Sequence, residues 1–353
     1  MITLSRHKVI SVLLALFVSA LLYLRLTTLQ GNFSYDALAY IDIFRAFDLV
    51  GSGNNNSFNF PYIYASGVVP VEFGFFFLYK SVQYFTGNHA TSFAIIASFS
   101  VFLRIYLLNR LRVPKLVMVL VSLISISLFE ANALRLGISA SFLLLGLYLL
   151  SSQKMAQAMT VFAASASCHM QAIIFIFPFL TFYVFSSWVT ASRARLIFFF
   201  VTSAVGSLGI SSLLPAVAND KVQYYISVGG SGSAGITITS VVAALFIAAT
   251  LLEKSRVNGD NEFVRIWSST AAATVPSVAM LILLTDVAVL GDRSWQLAFT
   301  VVVPCYFYYW RKNPIDVHRP SCVFICGLIL VVATNILIRF PLSNLFVPIL
   351  PGI

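Results

Sequence analysis

The sequence predicts an all-α, polytopic integral membrane protein of about eleven transmembrane helices, and three observations carry that prediction. The composition is 59% hydrophobic and only 10% charged, whereas a soluble domain carries about a quarter charged residues. No soluble core absorbs that much apolar surface. The apolar residues run on for about twenty at a time, the length a helix needs to cross the hydrocarbon layer with its backbone amides satisfied internally. Finally, the 22 Lys and Arg outnumber the 12 Asp and Glu, yet most of them sit in short segments between apolar runs. There they set topology rather than bind nucleic acid.

Arg6, His7 and Lys8 precede the first run, residues 9–24. This resembles a signal peptide, but no small-x-small cleavage site follows, so the segment is expected to stay as an uncleaved first helix. A long polar stretch, 27–69, comes next, with Asp36, Asp42, Asp48, the Gly-Asn run 51–56 and several tyrosines. Residues 71–85 are apolar but short, interrupted by Glu72 and Lys80. Further runs cover 90–108, 116–129, 134–150, 156–167, 172–188, 196–214, 236–252, 263–284, 295–310 and 322–338. With the N-terminus and the loops 109–115, 151–154, 191–195, 253–262 and 311–319 in the cytoplasm, most Lys and Arg collect there, and most Asp and Glu fall outside. That parity requires 71–85 not to cross. It is therefore expected to form a re-entrant or interfacial segment in an outer-face loop, 27–89. No internal repeat is visible, and residues 1–353 read as a single transmembrane domain.

Cys168, Cys305, Cys322 and Cys326 all fall inside apolar runs, with no C-x-x-C pair and no histidine at metal spacing. They read as buried small hydrophobes, so neither a metal, a disulfide framework nor a cofactor is expected.

Charged side chains in or beside apolar runs are costly unless partnered or hydrated. In this topology Asp36, Glu72, Glu130, Asn132, Arg135, His169, Lys221, Asp292 and Arg293 come to one membrane face from distant segments. Asn132 and Arg135, three apart at a helix start, share a face, and an arginine there can grip phosphate oxygens through its planar fork. The plain alternative is an arginine snorkelling to the interface or paired with Glu130. Arg293 has the same two readings, with Asp292 as structural partner. His169, in Ser167-Cys168-His169-Met170-Gln171, is either a hydrogen-bonded core residue or a base able to take a proton from a hydroxyl. Glu72 and Asp36 are alternative bases. The Gly/Ser stretch 229–235 lacks the Lys-Ser/Thr ending of a phosphate-binding P-loop and reads as a loop between helices. Tyr35, Tyr40, Tyr62 and Tyr64 can stack on sugar rings, although tyrosine is also ordinary at membrane interfaces.

Several of these residues fall into an ordered set. Tyr35-Asp36 through Tyr40, Val71-Glu72-Phe73-Gly74-Phe75, Asn132-Ala133-Leu134-Arg135-Leu136-Gly137-Ile138 and Ser167-Cys168-His169-Met170-Gln171-Ala172 resemble the EpsG-like family of exopolysaccharide polymerases, which belongs with the Wzy-type O-antigen and capsule polymerases. Members carry D-Y-x-x-Y, E-P-G-F, N-x-I-R-Q-G and F-H-x-S-A elements in this order. Phe73 stands where the family has Pro, Leu136 where it has Gln, and Gln171 where it has Ser; Asp36, Glu72, Arg135 and His169 are retained. Beyond residue 180 only Tyr224-Tyr225 and Gly291-Asp292-Arg293 are similar to the family's tyrosine loop and acidic-Arg element.

The resemblance implies a GT-C-like architecture in the bacterial inner membrane. It also implies an outer-face glycosyltransferase, free of metal, that joins repeat units carried on undecaprenyl pyrophosphate, with a chain-length regulator as a possible partner. Catalytic roles fall on Asp36, Glu72, Arg135 and His169, and substrate contacts on Tyr35, Tyr40, Asn132, Gln171, Tyr224, Tyr225, Asp292 and Arg293. Two other readings stay open. A ligase would use the same donor with a different acceptor, and a flippase of lipid-linked sugars would line a polar path through the full membrane depth.

Overall fold

The computed structural model describes residues 6–28, 44, 72–126, 133–190 and 288–312, with short pieces between 197 and 206, 265 and 277, and 326 and 333. Every regular element among the described residues is helical. Eight helices have both ends there: α1 (Arg6–Thr28), α2 (Phe73–Thr86), α3 (His89–Arg110), α4 (Lys115–Ser125), α5 (Leu134–Ser151), α6 (Met155–Cys168), α7 (Ala172–Thr190) and α8 (Ala288–Lys312). Their centres fall on the expected runs. The expected crossings at 196–214, 236–252, 263–284 and 322–338 lie wholly or mostly outside the described residues.

Two of these helices, α3 and α5, are long and apolar enough to cross a membrane. Their 22 and 18 residues span about 33 and 27 Å, against a hydrocarbon thickness of about 30 Å. The described part of the chain is thus helical, with two segments that fit a membrane's thickness. α2 and α6, at 14 residues each, reach only about 21 Å. Length therefore does not separate the expected interfacial segment from an expected crossing; packing does.

The core is a hairpin of α5 and α6 with α3 against it. Small residues let these helices approach closely. A side chain at Gly146 would overlap the ring of Phe162 on α6. Ser139 and Ser165 clamp α5 to α6 reciprocally: Ser139 Oγ donates to the Ser165 carbonyl at 3.0 Å, and Ser165 Oγ to the Ser139 carbonyl at 2.8 Å. Ser141, on another side of α5, donates to the Ser100 carbonyl of α3 at 3.1 Å. The turns at the far end use left-handed backbone at non-glycine residues, Arg112 (φ 55°) between α3 and α4 and Gln153 (φ 58°) between α5 and α6.

α2 does not run along this bundle. Its C-cap Gly87 takes φ 63° and donates its N–H to the Gln83 carbonyl at 2.8 Å, and Asn88 caps α3 by accepting from the Thr91 N–H at 3.1 Å. An antiparallel hairpin about Gly87-Asn88 would set Tyr79 against Ile96 and Phe75 against Ser100. Both rings instead meet Phe93, at centroid distances of 4.9 and 6.4 Å, and Tyr79 also bonds His89. At the other extremity Gly74 touches Ser167, next to last in α6. These contacts of α2 fall near the ends of α3 and α6, so it lies across one end of the bundle. The ring of Phe44, from the polar stretch, stacks on Tyr79 at 3.9 Å.

α8 starts seven residues before its apolar run. Asp292 and Arg293, expected at a helix boundary, lie inside its second turn, because helical hydrogen bonding continues past the point where the side chains become polar. Its Trp295–Phe307 stretch is buried against α5 and α7. Cys168 and Cys305 are buried as expected, but Cys326 is exposed; an outward position on a membrane helix is as apolar as an inward one, so the run does not distinguish them.

Candidate functional site

The covered end of the bundle brings together Glu72, Arg135 and His169. Arg135 is the second residue of α5, and Ser139 lies one turn below it on the same stripe. His169 is the C-cap of α6, one turn above Ser165, and its N–H bonds the Ser165 carbonyl at 3.1 Å. The Ser139–Ser165 clamp, 2.9 Å between hydroxyls, therefore sets Arg135 and His169 level across the helix interface. Glu72 reaches them from the start of α2. It occupies the N-cap position yet makes no side-chain capping bond; its carboxylate is directed into the site instead.

Arg135 Nη1 donates to Glu72 Oε2, and His169 Nδ1 lies 3.2 Å from Glu72 Oε1. Arg135 and His169 are 5% exposed, and the Glu72 side chain 15%. Arg135 pairs with Glu72, 63 residues away in sequence; Glu130, the partner expected from the sequence, lies outside the described residues. The approach depends on Gly74, because any Cβ there would collide with Ser167.

His169 sits in the turn between α6 and α7, outside both helices. Burial holds its pKa below the ordinary histidine value, the Glu72 carboxylate pulls it up, and the charges of Arg135 and Arg293 push it down again. Arg293 of α8 is therefore within electrostatic reach of the imidazole. One helix stretch deeper, Arg104, Leu144 and Thr300 line a common contact region, so α3, α5 and α8 run in the same direction from this end. Gln171 is half-buried, and its Oε1, shielded from solvent, has no hydrogen-bond donor among the described residues.

Asp36, Tyr35, Tyr40, Asn132, Tyr224 and Tyr225 lie outside the described residues, as does the side chain of Asp292. Residues that the charge pattern does not single out also shape the site. Gly74, Ser139 and Ser165 carry no charge; their signal is the four-residue spacing from Arg135 and His169 and the glycine two after Glu72. Arg104, 3% exposed, is a charge inside an apolar run. Its surroundings, Val101, Ile105, Leu108, Val121, Leu144 and Thr300 among them, are too tightly packed to hold a water molecule.

Chemically, the arrangement sets a fixed cation suited to phosphate oxygens beside an imidazole whose Nδ1 lies 3.2 Å from a carboxylate oxygen. Among known proteins, the model of the EpsG family matches residues 13–349. No curated protein and no solved structure matches the chain.

Proposed function

The chain belongs to the EpsG family, and from that membership and the geometry above we propose that it is an outer-face glycosyltransferase polymerising oligosaccharide repeat units carried on undecaprenyl pyrophosphate. The observation that carries the reading is the meeting of Glu72, Arg135 and His169 from three helices. Arg135 and Arg293 hold the donor pyrophosphate, and their charge stabilises the leaving group as a metal does in other glycosyltransferases. His169 positions and deprotonates the acceptor hydroxyl, Glu72 and Asp36 being the alternative bases. Direct displacement inverts the anomeric carbon. Tyr35, Tyr40, Asn132, Gln171, Tyr224, Tyr225 and Asp292 contact the saccharide or its phosphates; the unsatisfied Gln171 Oε1 suits a sugar hydroxyl.

The same reading makes residues 1–353 one transmembrane domain of about eleven crossings with GT-C-like architecture, in the bacterial inner membrane, working with a chain-length regulator. The N-terminus is cytoplasmic and α2 lies at the outer interface. That α2 packs on terminal residues of α3 and α6 supports the last point. The product is O-antigen, capsular polysaccharide or exopolysaccharide. Transport is the weaker alternative, since Glu72, Arg135 and His169 lie at helix ends rather than along a path through the membrane depth. Polymerisation by the purified protein with lipid-linked repeat units tests the proposal. Folded Arg135→Ala and His169→Ala variants are expected to lose chain extension, and normal extension by both removes the site assignment. A finished glycan moved only onto a lipid A core acceptor identifies a ligase instead.

A further inference from the structure

Glu72 stands between two groups of different kinds. Its Oε2 accepts from Arg135, and its Oε1 lies against His169 Nδ1. Arg135 is permanently charged, so it holds the carboxylate strongly whatever the state of the imidazole. The Nδ1 contact is outside hydrogen-bond alignment, as expected of a carboxylate aimed primarily at the arginine. A pyrophosphate offers the guanidinium more charge and two oxygens at fork spacing, and so competes with Glu72 for Arg135.

On the proposed function above, we infer that Glu72 is a positioning residue coupling donor binding to acceptor activation. Donor pyrophosphate draws Arg135 away from Oε2, and the released carboxylate aligns with Nδ1–H and leaves the Nε2 lone pair for the acceptor hydroxyl. In the step that follows, Nε2 takes the hydroxyl proton while the hydroxyl oxygen bonds to the anomeric carbon. The bond from that carbon to the pyrophosphate oxygen breaks, its electron pair leaves with the lipid pyrophosphate, and the imidazolium then passes its proton to water. Among the described residues, the charged groups facing His169 are Glu72 at the start of α2, Arg135 of α5 and Arg293 of α8. Both arginines oppose an imidazolium, and Glu72 alone among them favours one. Without donor the base is therefore held weak; with donor it is strengthened.

The test is the pH dependence of polymerisation by the full-length protein in liposomes, with purified lipid-linked repeat units, over about pH 5 to pH 9. The kcat/KM for donor reports the free enzyme, and the kcat/KM for acceptor at saturating donor reports the donor-bound one. The expected result is an acidic limb about one pH unit higher in the donor-bound profile. In Glu72→Gln the two limbs coincide at the lower position, and kcat falls about 100-fold. Coincident limbs in the unaltered protein overturn the inference. So does a separation that survives in Glu72→Gln, because the donor's own charge would then be its source. Should Glu72→Gln not accumulate, Glu72→Asp serves: its shorter carboxylate reaches Nδ1 less well, so the separation of the limbs is expected to shrink, and a separation as large as in the unaltered protein overturns the coupling. Normal polymerisation by both His169→Ala and Arg135→Ala would overturn the site reading itself; loss in those variants with an unshifted Glu72→Gln profile overturns the coupling alone.

Discussion

Replacing Gly74 with alanine is expected to disable the site without touching any of its charged groups. A Cβ at Gly74 would lie 2.8 Å from Ser167 Cβ and 2.9 Å from the Ser167 carbonyl carbon, with Ser167 Oγ closer still. Carbon atoms rest at about 3.5–4.0 Å, so α2 must retreat from α6 by about 1 Å. The hydroxyl can rotate away, although it would give up its bond to the Ala164 carbonyl at 2.8 Å; the backbone carbon cannot. Glu72 lies two residues before Gly74, so the retreat carries its carboxylate off Arg135 and His169. Misplacement on that scale costs on the order of 100-fold in rate. The assay is polymerisation of lipid-linked repeat units by purified Gly74→Ala, with gel filtration confirming a folded protein. Ser167→Gly in the same chain removes Oγ and Cβ but leaves the carbonyl carbon, so partial recovery is expected. A folded Gly74→Ala with the full rate, or one that Ser167→Gly does not improve, refutes the argument that close packing positions Glu72.

Arg135→Ala is expected to lower stability by about 3 kcal/mol, because a buried carboxylate loses its cationic partner; thermal unfolding should show Glu72→Gln recovering more than half of this in the double variant, and no recovery would mean that the pair is not the cause. Gly87→Ala should cost about 1 kcal/mol from left-handed backbone alone, since no atom lies within 4 Å of the added Cβ; an unchanged unfolding midpoint contradicts it. Cysteines introduced one at a time at the exposed Ser81 and Gln153, in a chain with its four native cysteines replaced, should label from opposite sides of intact cells, Ser81→Cys from outside. Labelling from one common side would remove the assignment of α2 to the outer interface.

Much of this is legible along the chain, for reasons that can be named. The helices at 134–151 and 89–110 follow from apolar runs near membrane thickness, a property of consecutive residues. Glu72, Arg135 and His169 stand out because charges beside such runs are costly. The boundary of α8 is less legible, because hydropathy reports where side chains meet apolar surroundings, whereas a helix ends where its hydrogen bonding ends.

By itself the sequence determines an all-helical membrane chain and the identity of the groups that can carry chemistry. Which of them meet is decided by tertiary structure. Glu130 and Asn132 are the polar neighbours of Arg135 in sequence, whereas Glu72, which it meets in space, is 63 residues away, brought there because α2 lies across the bundle end. The Ser139–Ser165 clamp and the bare Cα of Gly74 then fix how closely the three helix ends converge. Hydropathy acts residue by residue along one segment, while the separation of two side chains depends on crossing angle and close packing, which belong to pairs of segments.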